Sequence, residues 1–222
     1  MHPTIERLRR GLIVSCMATD DEPLHGPMFM AAMALAAEQG GAVGIKARDR
    51  QDVALVSRLV RIPVMGMQVV IDPLGKRWVT PTFEAAKAIV DAGAEIVAIQ
   101  GLASRTFGDP APVLIGRVHD ELGKPLMVDV SSVEEARAAE AAGADMVRPV
   151  YKSPSPDFGL LEMVIAAVSC PVVGEGGYWT PEEAVRALDL GVHCLVVGTA
   201  ITRPGQITKH WVEAIGRGRV LR

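Results

Sequence analysis

Three segments, DAGAEIVAI (91–99), AAGADMVRP (141–149) and DLGVHCLVV (189–197), share one device. A helix-like run ends at a glycine, two residues pass, and a short, nearly unbroken apolar run begins. Glycine just past a helix can take the left-handed conformation that ends it. An apolar run without alternation is how a strand buried on both faces reads. Working outward, strand-like runs stand at Gly11–Met17, Ala42–Ala47, Pro63–Val69, Ile96–Gln100, Pro125–Val130, Met146–Val150, Pro171–Glu175 and Cys194–Gly198. Helical patterns lie between and after them, at Pro27–Gln39, Asp52–Val60, Thr82–Ala92, Pro112–Leu122, Val133–Ala142, Phe158–Val168, Pro181–Leu190 and Gln206–Ile215. Eight strands alternating with eight helices predict an α/β chain closed into a (β/α)8 TIM barrel. An open doubly wound sheet would use the same elements, but its nucleotide loop needs G-x-G-x-x-G after the first strand. Met17-Ala18-Thr19-Asp20-Asp21 stands there instead.

Helix ends are punctuated accordingly. Thr80 and Thr180 precede prolines and are cap candidates, the second with Glu182 and Glu183 following. Gly40, Gly93, Gly123, Gly143 and Gly191 follow helical runs. The chain of 222 residues reads as a single barrel domain, 1–222, with residues 1–10 as a charged lead-in. Aromatics are only 4%, so Ala, Val, Ile, Leu and Met must fill the core. The net charge is −3 with no basic stripe, which argues against a nucleic-acid partner. No apolar run approaches the roughly 18 residues of a membrane span, so a cytoplasmic protein with no membrane partner is expected. Cys16, Cys170 and Cys194 are spaced for neither a disulfide framework nor zinc. The histidines cluster with no other ligand residues, and neither a metal nor a cofactor is expected.

In such a barrel the chemistry sits where the strands end. The closing residues are Met17; Lys46 and Arg48; Val69; Gln100, with Arg105 beyond; Asp129; Arg148 and Lys152; Glu175; and Thr199, with Arg203 beyond. Gly174-Glu175-Gly176-Gly177 and Gly198-Thr199 are rich in small residues at the two places where such barrels hold phosphate. Gly176, Gly177, Gly198, Thr199 and Arg203 are therefore the candidate phosphate site, with tight turns and a solvated arginine as the plain alternative. Glu175 is a lone carboxylate among apolar neighbours; desolvation should raise its pKa and suit it to proton transfer. Asp129 either orients a substrate hydroxyl or ammonium or caps the next helix, for which Ser131 and Ser132 are better placed. Lys46 and Arg148 are candidate substrate contacts, and Lys152 a candidate Schiff-base or proton-moving lysine, a surface charge otherwise.

GLIVSC, AAMALAAEQGGAVGI, PVMG, DAGAEIVAI, MVDVSSVEEA, VVGEGGYWTPEEA and VVGTAITRP together resemble the N-acetylmannosamine-6-phosphate 2-epimerase family, from about Gly11 to Ala214. The resemblance implies a TIM barrel, a phosphorylated sugar as substrate, sialic acid catabolism and a homodimer. The implied reaction inverts C2 between N-acetylmannosamine 6-phosphate and N-acetylglucosamine 6-phosphate by removing and returning a proton, with a lysine and a glutamate as the acid/base pair. Glu175 matches the family glutamate, Asp129 the aspartate closing the fifth strand, and Gly198, Thr199 and Arg203 the phosphate loop. Lys46 stands where the family has an arginine. The family lysine falls on Val69, and the family's polar residues at further positions are Met17, Gln100, Gly177 and Trp179 here. A Gly-Thr-Thr-Leu-Ser-Gly segment is replaced by Arg148–Ser153. Lys152 or Lys76 would then supply the amine, with Glu175 and Lys152 as the catalytic pair. The alternatives are a related barrel epimerase, aldolase or lyase on another phosphorylated substrate, and a catalytically silent phosphosugar-binding homologue. Tyr151, Tyr178 and Trp179 place three of nine rings on loops that depart from the family pattern.

Overall fold

The computed structural model describes residues 1–101 and 106–220. Strands β1 (Leu12–Cys16), β2 (Gly44–Arg48), β3 (Val64–Met67), β6 (Ile96–Gln100), β7 (Leu126–Val130), β8 (Met146–Pro149), β9 (Val173–Glu175) and β10 (Cys194–Val197) form one parallel sheet, ordered β8-β7-β6-β3-β2-β1-β10-β9. A parallel bridge between Val147 and Val172 joins the two edges, where the Val147 N–H donates to the Pro171 carbonyl at 3.0 Å. The sheet is thereby a nearly closed barrel. Helices α2 (Pro27–Gln39), α3 (Asp49–Leu59), α4 (Phe83–Asp91), α5 (Ala111–Arg117), α6 (Val133–Ala141), α7 (Phe158–Ala167), α8 (Pro181–Leu190) and α10 (Pro204–Val220) follow the strands, with the short α9 (Thr199–Thr202) after β10. Among the described residues no helix is long and apolar enough to cross a membrane.

Burial sorts each strand by alternation. Outward residues such as Val14, Ile45, Val64, Val97, Val128 and Val147 pack under the helices. Inward residues Ile13, Met65, Ile96, Ala98, Met127, Met146, Val173, Cys194 and Val196 fill the barrel. Pro3–Glu6 form α1, whose Ile5 and the following Leu8 close the bottom of that inner core. The His193 ring nitrogen Nε2 meets the Ile5 carbonyl at 2.8 Å and ties the plug to β10. A barrel poor in rings leaves room at its base, and two aliphatic side chains from the lead-in fill it.

Three local expectations are corrected. The apolar run Pro63–Val69 is not one strand: β3 stops at Met67, and Val69–Ile71 (β4) turn back against Arg77–Val79 (β5) as an antiparallel hairpin. Asp72 holds its turn, accepting from the Leu74 and Lys76 N–H groups and, at 2.8 Å, from the Trp78 indole. Thr80 is not the cap of α4. Its hydroxyl accepts from the Gln68 N–H, and Thr82 caps the helix by accepting from the Ala85 N–H. After α2 the positive φ falls on Gly41 at +94°, while Gly40 remains helical. Elsewhere Thr180 makes a full capping box with Glu183.

Candidate active site

Alternation that fills the lower barrel with aliphatic side chains brings polar ones inward near its upper end. Lys46 of β2, Asp129 of β7, Arg148 of β8 and Glu175 of β9 meet there. The Lys46 Nζ donates to both Glu175 oxygens, at 2.8 and 2.7 Å. The Arg148 Nε donates to Glu175 Oε2 at 3.1 Å and stands 3.3 Å from Asp129 Oδ1. Lys46 is 2% exposed and Glu175 9%. Register explains the assembly: Asp129 and Arg148 are direct Cα partners, so they share a face. Lys46 reaches Glu175 across the barrel, past β1 and β10.

Two positive and two negative groups so compensate each other out of water. Such a cluster adds little net stability, because desolvation offsets the attraction, but each member becomes costly to remove. Burial alone would raise the Glu175 pKa, as its apolar neighbours suggest. The Arg148 and Lys46 charges and their hydrogen bonds outweigh burial and hold it at about 2, so the expected rise is overturned. Asp129 moves the other way. Burial dominates, Arg148 and Lys46 offset only part of it, the Glu175 charge adds to it, and its carboxyl is held above the usual range. Asp129 Oδ1 is buried and lacks an aligned hydrogen-bond donor. Asp129 does not cap α6; Ser132 does, accepting from the Glu135 N–H at 3.2 Å.

Above this layer two cavities share Ser15, Met17, Gly198 and Thr199. One, of about 340 Å³, has Glu175 in its wall with Gly176, Gly177, Tyr178 and Trp179. Gly176 and Gly177 both take positive φ, +112° and +73°, which bends the chain after β9 around this space. A Cβ on Gly177 would fall 2.3 Å from the Pro154 carbonyl oxygen. Trp179 stacks on the His210 ring at 4.5 Å, so α10 supports this wall. Tyr178 is largely buried in this wall, its hydroxyl 3.3 Å from that of Tyr151. The other cavity, of about 300 Å³, is lined by Arg48, Met67, Val69, Arg77 and Arg203 among others. Val69, the position of the family lysine, therefore faces the mouth at the base of the hairpin.

The remaining candidates are distributed around this centre. Arg203 forks onto Glu22, with Nη2 and Nε at 2.7 and 3.1 Å from one carboxylate oxygen. Arg48 pairs with Asp20 at 3.1 Å and Asp49 at 2.9 Å. The acidic run Asp20-Asp21-Glu22 was the available signal for these partners, though nothing local pairs it with arginines so distant in sequence. Gln100 supports the hairpin, accepting from the Val79 N–H at 3.3 Å. Lys152 stands exposed on the loop after β8, and the lysine at Glu175 is Lys46. Arg105 lies outside the described residues. Cys16, Cys170 and Cys194 are free thiols.

A family model described as "Putative N-acetylmannosamine-6-phosphate epimerase" matches residues 30–217. A relative from Caldanaerobacter subterraneus subsp. tengcongensis, designated an N-acetylmannosamine-6-phosphate 2-epimerase of putative status, is 41% identical over 97% of this chain and 95% of its own. One of the same designation from an Enterobacter strain is 38% identical, covering 97% of each chain. The solved N-acetylmannosamine-6-phosphate 2-epimerase of Clostridium perfringens superposes with a TM-score of 0.91 at 36% identity, over 96% of both chains. A thiamine phosphate pyrophosphorylase from Pyrococcus furiosus, at 19% identity and a TM-score of 0.65, shares the fold. With one family model spanning most of its length and relatives this similar end to end, the chain belongs to the N-acetylmannosamine-6-phosphate epimerase family.

Proposed function

We propose that this protein interconverts N-acetylmannosamine 6-phosphate and N-acetylglucosamine 6-phosphate, removing the C2 proton and returning it to the opposite face. The observation that carries the proposal is Glu175, an ionised carboxylate buried in the wall of a cavity of about 340 Å³ between two glycine-bent loops, in a chain of this family. Proton removal beside an aldehyde carbon yields an enolate, and such a step needs a positioned base, an acid on the other face and cations near the developing oxyanion. Glu175 moves a proton. Arg148 and Asp129 orient the sugar, the unaligned Asp129 Oδ1 being suited to a substrate hydroxyl or ammonium. Gly176, Gly177, Gly198, Thr199 and Arg203 receive the phosphate, which then competes with Glu22 for the Arg203 guanidinium. Two copies of the chain pair in the cytoplasm, covering Trp211, Val212 and Ile215 of α10, each more than half exposed in one copy.

The decisive experiment is proton exchange at C2 in heavy water, followed by NMR with each 6-phosphate. Loss of the C2 proton signal and growth of the other epimer are expected. A second reading follows from Val69 and Trp179 lining the two cavities where the family pattern is polar: a related reaction on another phosphorylated sugar. Exchange with that sugar and none with the N-acetyl pair would favour it. Thermal stabilisation by phosphosugars with no exchange at all would make the protein a binding homologue.

A further inference from the structure

The family resemblance pairs a glutamate with a lysine, and Val69 occupies that lysine's place with a side chain that cannot carry a proton. The described lysines other than Lys46 lie away from Glu175. Lys76 covers the Trp78 ring on the hairpin, Lys87 pairs with Asp91, Lys124 precedes β7 at the opposite end of the barrel, Lys209 faces Glu213, and Lys152 is exposed. Lys46 is the buried lysine, and it touches the carboxylate that lines the cavity. We infer that Lys46, at the position of a family arginine, is the proton-carrying amine of this active site and forms the acid/base pair with Glu175. The inference rests on the epimerase reading above.

Residue type carries part of the argument. A guanidinium stays protonated throughout the working pH range, so an arginine at this position offers charge and donors but no proton. An amine both gives and takes one. The exchange of arginine for lysine at 46 thus restores a proton carrier to a site from which Val69 removes one. Arg148 supplies the rest. Its Nε lies 3.1 Å from Glu175 Oε2 on the β8 side, so the carboxylate keeps a counter-charge when Lys46 turns to the substrate.

The proton balance closes without a co-reactant. Resting Glu175 is a carboxylate and resting Lys46 an ammonium. With the open-chain sugar between them, Glu175 takes the C2 proton, and the C–H electron pair forms the C1–C2 double bond while the C1 oxygen becomes an enolate. The Lys46 ammonium then protonates C2 from the opposite face, and the C1 carbonyl returns. Each reacting atom needs about 3–3.5 Å to C2, so the two side chains stand roughly 6–7 Å apart during the step. After product leaves, the contact at 2.7 Å reforms, and the Glu175 proton passes to the neutral Lys46 amine.

The test compares wild type, Lys46→Arg and Lys46→Ala in the C2 exchange assay and in steady-state epimerisation. Lys46→Arg keeps the charge and the partner of Glu175, and its fold is checked by its melting midpoint. Its kcat is expected to fall at least a thousand-fold with KM within a few-fold. Lys46→Ala, where it folds, is expected to regain turnover with added methylamine, in proportion to the free amine; a merely structural lysine would not be rescued in this way. Epimerisation by Lys46→Arg that stays within ten-fold of wild type overturns the assignment alone, as does a folded, inactive Lys46→Ala that methylamine leaves inactive. Wild-type protein that exchanges no C2 proton overturns the epimerase reading and this assignment with it.

Discussion

Replacing Glu175 with glutamine probes the buried charge layer. The side chain keeps its shape and loses its charge, so Lys46 and Arg148 remain buried with Asp129 as their one carboxylate. Removing one partner of a buried pair costs about 3–5 kcal/mol. The pH dependence is the sharper readout. The folded state holds Glu175 at about 2 against an ordinary 4.5. Because the folded value is the lower one, the stabilisation is complete above pH 4.5 and is lost as pH falls from there toward 2. At about 1.4 kcal/mol per pH unit, the interval from 4.5 to 2 is worth about 3 kcal/mol, of which about 1 kcal/mol has gone by pH 3.5. Asp129 has the opposite sign: its raised folded pKa favours the folded state at low pH, and that contribution is lost as pH rises. This part is shared by both proteins, apart from the repulsion that Glu175 itself supplies. Urea unfolding of wild type and Glu175→Gln at pH 7 and pH 3.5 measures the gap. We expect destabilisation of about 3 kcal/mol at pH 7 that shrinks by about 1 kcal/mol at pH 3.5. A gap that stays constant over this range would refute the claim that Lys46 and Arg148 keep Glu175 ionised.

Two further substitutions address the mouth. Gly177→Ala places a Cβ 2.3 Å from the Pro154 oxygen at a φ of +73°, and the expected cost is about 1–3 kcal/mol in urea unfolding with weaker phosphosugar binding by calorimetry. Arg203→Met breaks a pair with Glu22 whose side chains are 27% and 22% exposed, so unfolding free energy should change by no more than about 1 kcal/mol. Its effect belongs to the ligand: KM for the 6-phosphates should rise at least ten-fold, and an unchanged KM would remove Arg203 from the phosphate site.

Much of the architecture was legible because burial on both faces leaves a strong mark. The strands read as apolar runs, and α2 and α8 begin and end where the Ala-rich and Thr180-capped patterns place them. The hairpin was not legible. Val69, Val70 and Ile71 continue the apolar run of β3, and only the Asp72 turn and the burial of Trp78 separate them. Nor was α1 legible as a plug, since Ile5 and Leu8 sit alone in a charged decapeptide. In the site, Glu175, Asp129, Arg148 and Lys46 were each readable as strand-end residues, but their grouping was not. Lys46 and Glu175 are 129 positions apart.

By itself, then, the sequence determined the barrel, the strand ends that carry its polar residues and the family, because period, glycine position and residue type are local properties. The tertiary structure decided what those residues are to one another. It seated Lys46 against Glu175, put Arg148 between two carboxylates, and turned the expected rise of the Glu175 pKa into a fall. The physical reason is that a pKa depends on charges within a few ångströms in space, and closing the barrel, not the order of residues along the chain, sets those distances.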